Sequence, residues 1–331
     1  MVGRAAGPRA DSSSSTSSLQ SSLHGATRTL HNQLNVGIIN RLPQCLPPNA
    51  PDPTVYHLGI ITYGQIFVAL ERGTDRVLSE PLQELEARAR QVRILETLHT
   101  TGLARTQKLK HDTTLLSSRL LSRKDPSNAD ALRQTEDKVR ADADARTRHI
   151  TERIQQTPYL ALAYAWTMYL ALFNGGRHIH RALKRPGRAF WLAEDGQDTG
   201  SDKIDALSFW HFEAATEEDP DADQLKLEFK RSFDEACQLL TEGEREEVVK
   251  EAESIFELCM ELVLFLDGVM VEYEQRTRSI TSKTEDQVES PRVSHGGTWY
   301  DAMSSALAPV GKLLGLDQSR SLVQEVKDRV R

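Results

Sequence analysis

The stretch Tyr169–His180, YLALFNGGRHIH, decides how this chain is read. Gly175 and Gly176 stand side by side between an apolar run and a basic one. Each glycine inside a helix costs about 1 kcal/mol relative to alanine, so two in succession imply a use for bare backbone. On a helix rich in Leu, Tyr and Trp, their small size lets the backbone approach a flat object, lets the helix kink, or admits a neighbouring helix at short range. From this stretch alone these alternatives stay open.

Working outward, apolar residues recur at helical spacing from Leu23 onward (Leu23, Leu30, Leu34, Ile38), and almost no segment alternates with strand period. The pattern predicts an all-α chain. Prolines between Pro43 and Pro53 end the first helix, and a strongly apolar second one follows over Thr54–Leu78. Charged helices fill Glu80–Glu152, broken near KDPSNAD, and a third apolar helix spans about Pro158–Leu183. After a loop-rich insert, two amphipathic helices are predicted at about Ala222–Leu240 and Glu242–Glu274, with Thr241 and Glu244 as a capping box between them. The predicted organisation is a disordered Ser-rich tail at 1–22, one helical domain at 23–274, a polar linker at 275–298 and an amphipathic, charged helical segment at 299–331.

Composition narrows the function. With 331 residues, 39% hydrophobic and 27% charged, the chain can bury a sizeable core, and a formal net charge of −7 argues against a general nucleic-acid binder. Cys45, Cys237 and Cys259 are far apart with no metal-binding spacing, which predicts an intracellular protein without a disulfide framework. The N-terminal residues lack the apolar core of a secretory signal, and no stretch reads as a transmembrane span. No GxGxxG, Walker A, GxSxG or HExxH pattern is present.

Three features remain as candidate chemistry. The first is the glycine pair. The second is His31 in LHNQLN, either a satisfied core histidine or an axial metal ligand whose tautomer Asn35, one turn on, could fix. The third is Lys226 and Lys230, four apart on one helix face beside Phe229 and Phe233, which suits an amphiphilic dianion or simply a solvated basic edge. His178 and His180 lie two apart on a helix and cannot readily share one ion.

Taken in order, LHNQLN, YLALFNGGRHIHRAL, FWHFEAATEEDPDADQLKLEFKRSF and TEGEREEVVKEAESIFELCMEL resemble the heme oxygenase family, most closely its fungal branch. The resemblance runs from about Leu23 to Gly268 and implies one helical domain that holds heme between a proximal helix and a kinked distal helix. It implies His31 as the proximal iron ligand, and Gly175 and Gly176 as the distal pair, with Ala171 where the family's motif has another glycine and Tyr169 among the heme-contacting residues. Lys226 and Lys230 match positions that receive the heme propionates, while Trp166 stands where animal members carry a propionate-contacting tyrosine.

The implied reaction opens heme, at once substrate and cofactor, to biliverdin, carbon monoxide and iron, with O₂ and electrons from NADPH. The implied electron donor is a reductase of the NADPH-cytochrome P450 reductase type. Arg177, Arg181, Lys184, Arg185 and Arg188 are its candidate docking run, against the plainer reading of a solvated helix end.

One departure stands out. Animal and many bacterial members carry a distal aspartate that anchors a proton-relaying water network, and the matching residue here is Leu172, which holds no proton. Asn174, or backbone carbonyls freed by a kink, would hold the distal water instead. The alternative class is a heme-binding or heme-sensing protein that keeps the pocket without turnover. The expected location is cytoplasmic or peripheral to the endoplasmic reticulum, in preference to mitochondrial.

Overall fold

A computed structural model describes residues 18–80, 86–191, 204–212 and 222–285 of the chain. Among the described residues there are nine α-helices and no strand: α1 (Leu19–Arg41), α2 (Thr54–Ser79), α3 (Glu86–Leu98), α4 (Thr106–Arg123), α5 (Pro126–Gln156), α6 (Ala161–Ala171), α7 (Arg177–Lys184), α8 (Asp223–Cys237) and α9 (Glu242–Glu285). The all-α expectation holds. The tail at 1–17, most of the insert and the segment 299–331 lie outside the described residues.

Local chemistry sets the ends. Ser18 caps α1 by accepting from the Ser21 N–H, so this helix begins within the stretch expected to be tail. Asp125 caps α5, with Pro126 in the first turn where a missing N–H is harmless. The expected capping box forms at α9: the Thr241 N–H donates to Glu244 Oε2 at 2.7 Å and the Glu244 N–H to Thr241 Oγ1 at 3.4 Å.

α9 corrects one boundary, because it runs on to Glu285 instead of stopping near Glu274. Residues read as linker for their polarity instead form a solvated helix. The hydroxyls of Ser279 and Thr281 bond carbonyls one turn back, and Arg278 pairs with Glu274 at 3.1 Å.

α2 is the central helix. It lies along α5 and also touches α3, α4, α6 and α9. Its glycines permit this: a Cβ on Gly64 would sit 2.4 Å from Leu109 Cδ2 of α4, and one on Gly73 would sit 3.0 Å from Ile154 Cβ of α5. Buried His57 of α2 meets Glu136 of α5 at 2.8 Å, and Glu136 also accepts from Ser117 of α4 at 2.8 Å.

α9 supplies acids that tie it to the rest. Glu244 accepts from Arg90, Glu247 from Tyr159, Glu251 from Arg153 and Tyr164, and Asp267 receives a two-pronged contact from Arg41 of α1.

The short 3₁₀ segment Asp205–Trp210 and the two residues after it are held on α4 by buried charges. Arg105, fully buried, donates to the carbonyls of Phe209 (3.1 Å), His211 (2.9 Å), Leu103 (2.7 Å) and Gly102 (2.5 Å), and its guanidinium lies 4.4 Å above the Phe212 ring. Asp112 accepts from the N–H groups of Ser208 (3.1 Å) and Phe209 (2.7 Å) and from the Ser208 hydroxyl (2.5 Å). Burial nevertheless pushes its carboxyl up to about 6.

Two outcomes follow. Gly64→Ala forces a methyl into Leu109, and urea denaturation is expected to show a loss of about 1–3 kcal/mol. Asp112 holds a proton in the folded chain at pH values where the unfolded chain has lost it, so it contributes stability at low pH that is lost as pH rises from about 4 through about 6. Urea midpoints of Asp112→Asn should fall less across that window than those of the parent.

Candidate functional site

The third apolar helix is continuous but not regular. A 3₁₀ turn at Pro158–Leu160 leads into α6, and a π turn over Leu172–Gly176 joins α6 to α7. A π turn carries one residue more than the α ladder accommodates, and such bulges mark kinks and functional sites. Its two sides differ. Leu172, Phe173 and Gly176 are buried, whereas Ala171, Asn174 and Gly175 are exposed.

The buried side leans on the clamped segment. Phe173 stacks on Phe212 with centroids 4.5 Å apart and planes 9° apart, and a Cβ on Gly176 would make ordinary contact with the Trp210 ring at 3.5 Å. Trp210 is itself fixed by donating to the Tyr56 hydroxyl at 2.9 Å.

On the exposed side, Gly175 is open. A Cβ on Gly175 would meet nothing within 4 Å among the described residues. Backbone strain does not require glycine either, since the only glycines there with positive φ are Gly102 and Gly187. Gly64 and Gly73 repay their conformational cost in helix packing; Gly175 does not. Among the described residues no neighbour packs against Gly175, so the π kink and a flat guest are the uses of bare backbone that the described structure favours there.

His31 is exposed on α1, its ring edge-on to Phe256 of α9 at 5.9 Å. The satisfied-core reading therefore falls. The expected bond from Asn35 is not formed either: no hydrogen bond joins the two among the described residues, and Asn35 is itself exposed. Among the described residues no group of three or more metal-ligating side chains exists, so an ion here would have to bring most of its own ligands.

α8 brings cations to the turn. Lys226 Nζ donates to Asn174 Oδ1 at 2.7 Å, and Arg177, the first residue of α7, pairs with Asp223, the first of α8. Partial burial, then the charges of Arg177 and Lys230, hold the Lys226 ammonium below its usual pKa. Gln20 at the start of α1 donates to Asp234, so α8 bridges the π turn and the helix that carries His31. Phe229 and Phe233 form the buried side of α8, the latter 4.7 Å from the Trp166 ring.

Other expected residues lie elsewhere. Tyr169 is buried with its hydroxyl toward Glu71, and burial together with that carboxylate raises its pKa. It is thus on the core side of α6, away from the exposed Ala171, Asn174 and Gly175. Arg181, Lys184 and Arg185 are exposed, while Arg177 and Arg188 are half-buried. His180 is pushed down to about 4 by burial and by Lys184 and His211, so it is neutral near pH 7. The contacts that organise the site, Asn174 with Lys226 and Arg177 with Asp223, join residues about fifty positions apart, and no local motif announces them.

Comparison with known proteins agrees with this architecture. Heme oxygenase 1 of the cyanobacterium Synechocystis, solved in complex with heme, superposes with a TM-score of 0.50 at 19% identity, covering 82% of this chain and 99% of that one. The yeast Saccharomyces cerevisiae protein described as "Heme-binding protein HMX1" is 25% identical over 238 residues, 72% of this chain and 71% of the relative. The heme oxygenase family profile matches residues 76–264, a range that includes the π turn and α8 and begins after α1. That match covers more than half of the sequence, and the chain belongs to the heme oxygenase family.

Proposed function

We propose that this protein binds heme between α1 and the α6–α7 turn and opens it to biliverdin, carbon monoxide and iron, using O₂ and reductase-delivered electrons. The observation that carries the reading is Gly175, a helical glycine whose bare face meets nothing in the described chain. A porphyrin ring is the flat object that such a face suits, and it uses the backbone approach that a side chain would block.

The residues present fit that guest. His31 offers an exposed imidazole, a suitable ligand for iron. Lys226 and Lys230 offer two cations for two carboxylates. Heme, when bound, supplies the iron at which O₂ is activated against the macrocycle itself. The chain's part is to orient it, shield it and hold water near the turn. Leu172 is buried and holds no proton, so that water rests on the Asn174 amide N–H groups and on carbonyls of the π turn.

Electrons would arrive from an NADPH-cytochrome P450 reductase-type flavoprotein at the basic surface of Arg181, Lys184 and Arg185, with Arg177 and Arg188 at its edge. Cys45, Cys237 and Cys259 are free, and burial pushes each thiol up to about 12, which suits a reducing intracellular compartment. Among the described residues no helix is long and apolar enough to cross a membrane.

A titration of the purified protein with hemin, followed by reductase, NADPH and O₂, tests this. A Soret band abolished by His31→Ala, then replaced by biliverdin absorption at a rate that falls with added salt, is the expected result. A Soret band that persists under turnover conditions would instead establish the heme-sensing alternative, and no band at all would overturn both. Gly175→Ala should separate fold from function: the ligand-free protein gains about 0.4–1 kcal/mol in urea denaturation, because the site is helical and open, while hemin affinity falls.

A further inference from the structure

We propose that Asn174 is a positioning residue for the heme carboxylates, acting through Lys226 and tying carboxylate capture to the glycine turn. The inference rests on the heme-binding reading and deepens it. Its basis is the 2.7 Å hydrogen bond from Lys226 Nζ to Asn174 Oδ1, which joins α8 to the exposed side of the π turn.

A lysine ammonium sits on a flexible four-carbon stem and has three N–H donors. Asn174 takes one of them, leaving two for an incoming carboxylate. Because the amide is neutral, it fixes the ammonium without cancelling its charge, which an aspartate at the same place would do. The nearby acid is also accounted for. Asp223 pairs with Arg177, and its attraction is the smallest of the influences on Lys226, behind burial and the repulsion of Arg177 and Lys230.

Lys226 is therefore held in one place, partly stripped of water and beside two like charges. An anion arriving there meets an ammonium whose rotamer freedom has already been lost, so less entropy is given up on binding. Asn174 immediately precedes Gly175. A carboxylate that draws on Lys226 thus draws on the same turn that offers bare backbone to the ring.

The test uses two porphyrins, hemin and its dimethyl ester, which keeps the ring and iron but has no carboxylate charge. Soret titrations are run on the full chain, on Asn174→Ala, on Lys226→Ala and on the double variant. Hemin affinity is expected to drop about three- to tenfold in Asn174→Ala, the range of one ordinary hydrogen bond, because Asn174 acts on the carboxylate only through Lys226. The ester's affinity should not change, and Asn174→Ala should add nothing once Lys226 is alanine. Equal weakening of both porphyrins, or losses that add in the double variant, would overturn the positioning role while leaving heme binding intact. Failure of the unmodified chain to take up either porphyrin would overturn the functional reading, and this inference with it.

Discussion

The site depends on two charges that never reach it. Arg105, just before α4, and Asp112, on α4, hold the backbone of residues 208–211 from both sides, one donating to carbonyls and the other accepting from N–H groups. A buried guanidinium or carboxylate is costly unless its polar atoms are matched, and here main-chain groups, with the Ser208 hydroxyl at Asp112, are among the partners. The segment so fixed carries Trp210 and Phe212, against which Gly176 and Phe173 rest. Rigidity passes from α4 to the π turn through ring contacts, and on the turn's other face no described residue packs against Gly175.

α9 performs the same service at longer range. Its inward carboxylates collect Arg90 from α3, Arg153 from α5 and Arg41 from α1, and the edge-on contact of Phe256 with His31 places the imidazole on a helix that cannot readily slide. α1 and α9 run in the same direction, since His31 meets Phe256 and Arg41 meets Asp267 further along both. Polar ties along α9 therefore decide where α1 presents its exposed face.

Much of this was legible in the sequence, and what was not has physical reasons. Helical periodicity, the prolines near residue 43, the Asp125 break and the Thr241–Glu244 box are local signals, and each marks its feature in the fold. The glycine pair announced unusual backbone, though periodicity could not say that the helix would continue through a π turn. Polarity misled at residues 275–285, because Thr, Ser and Arg that favour a linker on composition also bond carbonyls and partners one turn back. The burial of Tyr169 beside Glu71 and the capture of Lys226 by Asn174 are tertiary, set by which face α6 and α8 turn toward each other.

The π turn also has a geometric effect beyond the residues it contains. One residue in excess of the α ladder rotates everything that follows by about 100° about the helix axis. The azimuth of α7 is thus offset from that of α6, and this offset accompanies the meeting of Arg177 with Asp223 while Arg181 faces solvent. A regular helix of the same composition would aim its basic residues elsewhere. The bulge that frees backbone at Gly175 is in this sense also the compass bearing of the positive surface beyond it.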